Sequence, residues 1–260
     1  MFFTKTMATS LNFTSWDAAM ARQNADYIPL YNQLKSLSRQ RVNEGNVEMW
    51  WRLSSAAYHL TLNLDPVIDR VATRIRTAEA KRYAERALQI KADHANAHLW
   101  LAISLGQMAL LEDVLERAVD YVGPLVGHLT KCHALGLASN WRLLLVECNM
   151  HLMLWYGPPA YQEAVAQNAS HLPTGLVRPS LANIEQKLRQ ALTMSPQSLE
   201  VHGSLMTALI FADKLTEAEK MGKAALAIKR AGYRSEERLV QVIEELLMMI
   251  KGKLSHSPAK

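Results

Sequence analysis

Cysteine, glycine and proline are scarce in this sequence, and long apolar runs are absent. Its two cysteines cannot build a disulfide framework, so the sequence predicts a reduced protein held together by its core. With 11 Gly and 9 Pro in 260 residues, sharp turns are few, which favours long helices over many short strands. No apolar run approaches the roughly 18 residues of a membrane-spanning helix. We therefore expect no transmembrane segment.

The composition is that of a folded protein. Apolar residues make up 49% and charged residues 20% of the chain, which suits one sizeable core or a short array of repeated units. The net charge of +5 favours acidic partners such as nucleic acid, anionic lipid or an acidic protein surface, with a simple basic protein as the alternative.

The two ends are predicted to lie outside the folded domain. The first 16 residues are rich in hydroxyl side chains and carry no acid, a composition typical of organelle-targeting segments. They carry one Lys, no Arg and no amphipathic pattern, so a flexible N-terminus is the preferred interpretation and mitochondrial targeting the lesser alternative. The sequence predicts a flexible segment at 1–15, a repeat domain at 16–253 and a flexible basic tail at 254–260.

Helical periodicity dominates the chain, and no segment has the strict alternation of a strand. Apolar residues recur at helical spacing from residue 47 onward, starting with Met49, Leu53 and Ala57. The clearest breaks are Asn63–Pro66, Ala92–Asn96, Tyr156–Pro159 and His171–Gly175, and the interval between the last two is predicted to be irregular. A closing helix is expected at Ser235–Lys253, with Ser235 as its N-cap.

One segment of the sequence is repeated. "ALQI" at Ala87 returns as "ALTM" at Ala191 and as "ALAI" at Ala225, and the last two copies stand 34 residues apart. A 34-residue period with two helices per unit is the tetratricopeptide spacing. One hairpin cannot bury its apolar face alone, so neighbouring hairpins stack and share a core. The predicted packing positions are Ala80, Ala87, His98, Leu101, Ala191, His202, Leu205, Ala218 and Ala225.

These features predict an all-α protein: a tetratricopeptide-like helical-hairpin solenoid, or α-α superhelix, with a C-terminal capping helix. Two helices are expected to meet at Ala212–Lys214. The third unit, "SNWRLLLVECNMHL", matches the pattern only loosely.

Two motifs resemble those of one known family. "WRLSSAAYHL" is similar to its W-R-L-A-x-A-x-x-x-L helix, and "AKRYAERALQI" followed by "HLWLAI" to its A-x-x-Y-A-x-x-A-L-x-L…H-K-W-x-A-I motif. These are motifs of the regulator of microtubule dynamics proteins. The resemblance runs from about Val47 to Met249, and Leu99 replaces the usual Lys.

The resemblance implies a non-enzymatic, cytoplasmic scaffold that associates with microtubules and the spindle and influences microtubule dynamics and chromosome segregation. Tubulin would be its partner, and the concave face of the solenoid could hold other proteins. In some members the same fold is linked to organelle contacts and lipid binding. The alternative is therefore a lipid-binding or organelle-contact module, with an apolar tunnel lined by Trp50, Trp100, Trp141 and Trp155; these tryptophans would otherwise be plain core.

Basic residues crowd one predicted helix. They form a candidate patch for an acidic partner such as tubulin, with a solvated helix exterior as the alternative interpretation. Its residues are Arg70, Arg74, Arg76, Lys81, Arg82 and Arg86. A second set lies at Lys214, Lys220, Lys223, Lys229, Arg230 and Arg234. Nucleic acid is a weaker candidate, because acids stand among these residues and no aromatic reader motif accompanies them.

The sequence offers little for catalysis, cofactors or metals. His128 and Cys132, and Cys148 and His151, have spacings that could supply metal ligands on helices, but no Cys-x-x-Cys or His-Glu-x-x-His motif is present and buried Cys is common in helical cores. His94 and His98 are read as packing residues. Gly222–Lys223 lacks the preceding glycine of a phosphate loop, and no nucleophile elbow occurs. We therefore predict no catalytic site, cofactor or metal.

Overall fold

The computed structural model describes residues 13–20, 26–168, 170, 172–173 and 176–256. Within these ranges the chain is helical and contains no β-strand, so the all-α prediction is confirmed. The targeting alternative, most of the predicted flexible N-terminus and the last residues of the predicted tail lie outside the described residues.

The helices follow one another with short connections. The first seven are α1 (Thr14–Met20), α2 (Tyr27–Ser38), α3 (Val47–His59), α4 (Arg70–Ile90), α5 (Ala95–Leu110), α6 (Leu115–Asp120) and α7 (Val122–Ala134). The next six are α8 (Trp141–Tyr156), α9 (Pro159–Gln167), α10 (Leu181–Met194), α11 (Leu199–Phe211), α12 (Leu215–Leu226) and α13 (Arg234–His256). Two 3-10 turns, Arg41–Asn43 and Leu60–Asn63, flank α3.

Four helical hairpins stack into a solenoid. They are α3/α4, α5/α7, α8/α10 and α11/α12, and the second helix of one hairpin packs on the first helix of the next, as α4 does on α5 and α10 on α11. The capping helix α13 packs on α11 and α12. This is the tetratricopeptide-like arrangement that the repeat predicts.

Small residues allow close approach within the hairpins. Ala80 on α4 is fully buried, and its carbonyl accepts a hydrogen bond of 2.7 Å from the Ser54 hydroxyl on α3. A larger side chain at Ala80 would push the two helices apart. The nine predicted packing positions are all buried: Ala80, Ala87, His98, Leu101, Ala191, His202, Leu205, Ala218 and Ala225.

The interval after α8 was predicted to be irregular, but part of it is helical. Residues between Tyr156 and Leu181 contain the helix α9, which begins at Pro159 and packs on α6 and α8. Proline suits the first turn of a helix because that turn leaves its N–H groups without intrahelical acceptors. The sequence pattern places the two prolines at a break, whereas the structure places them at a helix start.

The predicted junction of two helices at Ala212–Lys214 is confirmed. The closing helix begins and ends at other residues than predicted. Asp213 between α11 and α12 has φ of 57°, the left-handed conformation of a tight helix stop. Helix α13 begins at Arg234, so Ser235 lies inside the helix and does not cap it. The carboxylate of Glu236 accepts from the backbone N–H groups of Ala231 and Gly232 instead, at 2.9 and 3.0 Å.

The start of α13 also contacts the first hairpin. Arg234 pairs with Asp69 at 2.8 Å although 165 residues separate them, and the rings of Tyr233 and Tyr27 lie 6.2 Å apart. The solenoid therefore curves far enough for its last helix to reach its first repeat. Within the described ranges, no helix combines the length and apolarity needed to cross a bilayer.

Candidate functional site

The first helices of the four hairpins bring a group of polar and aromatic side chains together. We call this group the concave site and define it as Tyr58 and His59 on α3, Trp100 on α5, Arg142 on α8 and Glu200 on α11. Each hairpin contributes at least one residue. The site therefore depends on the whole stack and not on any single repeat.

Aromatic rings line the α3 and α5 side of the concave site. The ring centroids of Tyr58 and Trp100 lie 5.9 Å apart, and those of His59 and Trp100 lie 5.1 Å apart. Tyr27 of α2 stacks on His59 at 4.3 Å. Such offset and tilted contacts fix the ring orientations more tightly than apolar burial alone.

Arg142 is the cation of the concave site. Its guanidinium carbon lies 4.3 Å from the ring centroid of Trp141 and 5.7 Å from that of Trp100. Burial lowers the pKa of Arg142, and the fields of Tyr27, Glu200 and Tyr58 oppose that change. Within the described part of the chain its guanidinium donates no hydrogen bond and has no carboxylate within 4 Å. Its charge thus lies close to two indole rings and, among the described residues, has no anionic partner in contact.

Glu200 is the anion of the concave site. Its side chain keeps access to solvent, yet the surrounding protein raises its pKa by desolvation; Arg142 acts in the opposite direction and Glu236 adds to the rise. Among the described residues no group donates a hydrogen bond to this carboxylate. Arg142 and Glu200 thus feel each other's charge without forming a contact ion pair.

His59 is neutral at pH 7. Burial and then the nearby charge of Arg142 lower its pKa to about 3, outweighing the opposing effect of its backbone hydrogen bond. Its Nδ1–H donates to the carbonyl of Ser55 at 2.7 Å. This neutral, anchored imidazole packs between Tyr27 and Trp100 and adds no charge to the site. Burial likewise raises the pKa of the neighbouring Tyr58 phenol, which stays protonated.

The predicted acidic-partner patch lies on α4, where acids compensate most of it. Its ion pairs are Arg70 with Asp113, Arg74 with Glu112, Arg76 with Glu79 and Lys81 with Glu85. These pairs reduce the field that the patch presents to a partner. They also fasten the start of α4 to the end of α5, since Arg70 donates to the carbonyl of Leu111 as well, at 2.8 Å.

Two patch residues remain largely uncompensated. Arg82 is 70% exposed and lies 3.9 Å from the nearest carboxylate oxygen of Glu79. Arg86 has no carboxylate within 4 Å among the described residues; it donates to Gln89 at 3.2 Å and to the carbonyl of Glu44 at 3.5 Å. These two residues are the part of the patch that is available to an acidic partner.

The four tryptophans of the predicted tunnel do not meet at one place. Trp100 and Trp141 both lie beside the guanidinium of Arg142, as described above. Trp50 packs on Tyr83 at 5.9 Å and donates to the carbonyl of Glu44 at 3.1 Å, against the core cluster of the first hairpin. Trp155 packs in the core cluster that includes α9, where its indole N–H is buried and has no hydrogen-bond partner among the described residues.

The cysteines and histidines with metal-ligand spacing are packing residues. Burial raises the pKa of both the Cys132 and Cys148 thiols to about 12, so neither is a reactive thiolate near pH 7. His128 bonds to His98 and not to Cys132, with 2.8 Å between the two Nδ1 atoms. Within the described residues no three His, Cys, Asp or Glu side chains come together as a metal site.

Arg142 and Glu200 were missed by sequence reasoning, although the helix caps point to them. Asn140 caps α8, with its side chain accepting from the backbone N–H of Arg142 at 3.0 Å, and Ser198 caps α11. Arg142 and Glu200 each follow their cap by two residues, so they occupy equivalent positions in neighbouring hairpins. Aligning the units on their caps, and not on their alanines, would have placed both on the inner face.

Comparison with known proteins agrees with the resemblance of the sequence motifs. The family model of regulator of microtubule dynamics protein 1-3 matches residues 13–136. The resemblance is confirmed over this segment. It includes α1, α2 and the first two hairpins, reaching further toward the N-terminus than the quoted motifs and ending well before Met249.

The other comparisons add little. No curated protein matches the chain. Among solved structures, yeast Tom70 aligns with 89% of this chain and 62% of its own, at 10% identity and a TM-score of 0.24. The chain thus spans less than two thirds of that protein. A likeness this low supports no inference about function.

Proposed function

We propose that the protein is a non-enzymatic helical-repeat scaffold that binds microtubules or spindle components and influences microtubule dynamics. One observation carries the proposal: residues 13–136 match the family of microtubule-dynamics regulators. That segment contains the whole of α4 and therefore the predicted acidic-partner patch. Chromosome segregation would be affected through spindle microtubules, and the protein would act in the cytoplasm on the cytoskeleton.

The chemistry of the described residues supports a binding role over a catalytic one. Both thiols are buried and protonated, and the histidines His59, His98 and His128 are held neutral in packed surroundings. A general base or nucleophile works best with a pKa near the operating pH and access to substrate. These groups have neither property.

We define the α4 surface as Arg82 and Arg86 together with Arg39 and Arg41, which lie in the segment that leads to Glu44. Arg86 reaches the carbonyl of Glu44, so this segment and the end of α4 are adjacent. Arg39 and Arg41 form no ion pair with the described residues. An acidic surface such as that of tubulin would be attracted to these four cations, and salt would weaken the attraction because the Debye length falls from about 10 Å at 0.1 M to about 3 Å at 1 M.

Co-sedimentation with stabilised microtubules tests the proposal. The wild-type chain is pelleted at low and at raised salt, with intact microtubules and with microtubules whose acidic tails have been cleaved. Arg82→Glu/Arg86→Glu is the test variant. Lys220→Glu/Lys229→Glu is the matched control, because it changes the charge equally at unpaired cations outside the matched segment.

The proposal predicts salt-sensitive pelleting that tail cleavage and the α4 variant reduce by about tenfold and the control leaves nearly unchanged, as expected for loss of two charge-assisted contacts. Equal loss in both variants would indicate non-specific attraction of a basic protein. Absence of wild-type pelleting at low salt would overturn direct microtubule binding.

A further inference from the structure

We propose that the concave site binds an extended peptide in which an acidic residue and a basic residue stand two positions apart. The acidic side chain would meet Arg142 and the basic side chain would meet Glu200. This binding site is separate from the α4 surface, so it goes beyond the microtubule proposal and does not depend on it.

The first argument is that the polar groups of the concave site are unused. Within the described residues, neither the guanidinium of Arg142 nor the carboxylate of Glu200 has a hydrogen bond or contact ion pair, and the hydroxyl of Tyr58 has no hydrogen bond. Arg142 and Tyr58 are half-buried and Glu200 is exposed, and half-buried polar groups in proteins are usually paired. A half-buried cation that lies beside two indole rings is therefore suited to an anion from outside the chain.

The second argument is that these groups are held in place. The Asn140 cap fixes the first turn of α8 by accepting from the N–H groups of Arg142 and Leu143, and the Ser198 cap fixes the first turn of α11. The nearby rings of Trp141 and Trp100 restrict the guanidinium. Little side-chain freedom would be lost on binding, which lowers the cost of capturing a ligand.

The third argument is the spacing. Arg142 and Glu200 occupy equivalent positions on α8 and α11, two helices that contact each other. Packed helices lie about 8–10 Å apart. In an extended peptide, residues two apart point to the same side and are separated by about 6.6 Å. An acid and a base at that separation match the two charges, with long side chains covering the remaining distance.

The fourth argument is the sign and number of the charges. A run of several acids would be repelled by Glu200 and by Glu236, whose field already reaches Glu200. An acyl chain would place hydrocarbon against Arg142 and Glu200 and leave both without a partner. One acid and one base satisfy both charges, and the half-buried ring of Tyr58 offers a surface for an apolar residue of the same peptide.

A random heptapeptide library displayed against the full chain tests the inference. Wild type, Arg142→Gln and Glu200→Gln are screened in parallel, and Arg189→Gln serves as control because Arg189 lies exposed on α10. A selected peptide is then titrated by fluorescence anisotropy. Circular dichroism melting shows whether each variant folds, and the two charge variants give independent readouts if one does not.

Wild type should select peptides with an acid and a base two residues apart. Arg142→Gln should lose the acid preference and keep the base preference, Glu200→Gln the reverse, and each should weaken the selected peptide by about 10-fold or more. The control should select as wild type does. A motif without this pair, or one unchanged in both variants, would overturn the proposal. So would flotation with vesicles of phosphatidylcholine and phosphatidylserine that requires Arg142 while no peptide is selected.

Discussion

The guanidinium of Arg52 on α3 binds the carboxylate of Asp17 on α1 through two hydrogen bonds, 2.8 Å from Nε and 2.7 Å from Nη2. Its remaining nitrogen donates to the carbonyl and carboxylate of Glu48 at 2.9 and 2.7 Å. Arg52 is only 8% exposed. The arginine of the W-R-L motif therefore fastens an N-terminal helix to the first hairpin and is not free to meet a partner.

Replacing Arg52 should release α1. In Arg52→Ala, Asp17 and Glu48 lose their shared donor, and we expect a loss of about 2–3 kcal/mol in the free energy of unfolding together with faster amide exchange in residues 14–20. Arg52→Lys should recover only part of this stability, because an ammonium group cannot form the two parallel hydrogen bonds to the Asp17 carboxylate. Denaturant unfolding and hydrogen exchange measure both effects. Unchanged exchange in α1 would show that its other contacts suffice.

A second buried charge ties α2 to α4 and sets the acid stability. Glu79 of α4 accepts from Lys35 of α2 and from the hydroxyl of Tyr83 at 2.8 Å. Burial alone would raise the pKa of Glu79, but hydrogen bonds from Lys35, Tyr31 and Tyr83 outweigh it and lower the pKa to about 2. A depressed carboxyl pKa contributes stability above the unfolded-state pKa, and that stability is lost as the pH falls from about 4.5 to about 2.

Glu79→Gln should therefore cost about 2 kcal/mol at pH 7 and flatten the acid limb of the stability curve. Glu85→Gln is the matched control on the same helix, since its pair with Lys81 is a half-exposed i,i+4 contact of a few tenths of a kcal/mol. Thermal melts from pH 7 to pH 2 make the comparison. Parallel acid limbs for wild type and Glu79→Gln would contradict the assignment.

The repeat made the fold predictable, because each crossing of two helices requires a small buried residue at the same place in the unit. Ala87, Ala191 and Ala225 mark it in the sequence, and all three are buried in the structure. The helix α9 was not predictable in this way, since it packs mainly on α6 and α8 and matches no other unit of the repeat. Ser235 was wrongly predicted to be the N-cap of α13. The backbone N–H groups before this helix are bound by the carboxylate of Glu236, which lies in its first turn, and not by the Ser235 hydroxyl.

The candidate site was harder to predict than the fold. Charge density along the sequence singled out α4, yet the acids that compensate Arg70 and Arg74 come from a segment some forty residues later. Arg142 and Glu200 drew no attention because both helices are mainly apolar: α8 carries only one other Asp, Glu, Lys or Arg, Glu147, and α11 carries none besides Glu200. The sequence records their relation only when the units are aligned on their helix caps, because each residue follows its cap by two positions.

The hydrogen bond between His98 and His128 should make stability fall in mild acid. Nε2–H of His98 donates to the carbonyl of Ala92 at 2.9 Å, so its Nδ1 accepts from Nδ1–H of His128. Burial, and then the proximity of His98, lower the pKa of His128 to about 4, and burial also lowers the pKa of His98. A proton added to either facing nitrogen would break the bond.

Because both folded-state pKa values are depressed, this contribution is complete above about pH 6.5 and declines as the pH falls toward 4. We expect the His98–His128 pair to account for about 1 kcal/mol of the stability that wild type loses between pH 6.5 and pH 5, in addition to the loss from His59, whose pKa is also depressed. His128→Asn keeps an N–H donor for His98 Nδ1 and should lose less stability than wild type over this pH range. His133→Asn, at an exposed position of the same helix, should behave as wild type. Equal losses in all three proteins would assign the acid sensitivity elsewhere.

The docking of the capping helix depends on a glycine in α12. A Cβ atom at Gly222 would lie 2.8 Å from Leu247 Cδ2 on α13 and 3.0 Å from Met206 Sδ on α11. Gly222→Val should therefore separate α13 from the last hairpin, at a cost of about 2–3 kcal/mol in the free energy of unfolding.

Gly252→Ala on α13 is the counterpart, because a Cβ there meets nothing within 4 Å and alanine favours a helix by about 0.5–1 kcal/mol. Denaturant unfolding should show the first variant destabilised and the second slightly stabilised. A neutral Gly222→Val would mean that α13 can shift away from the last hairpin without loss of stability, with its start still held at the first hairpin by Arg234 and Tyr233.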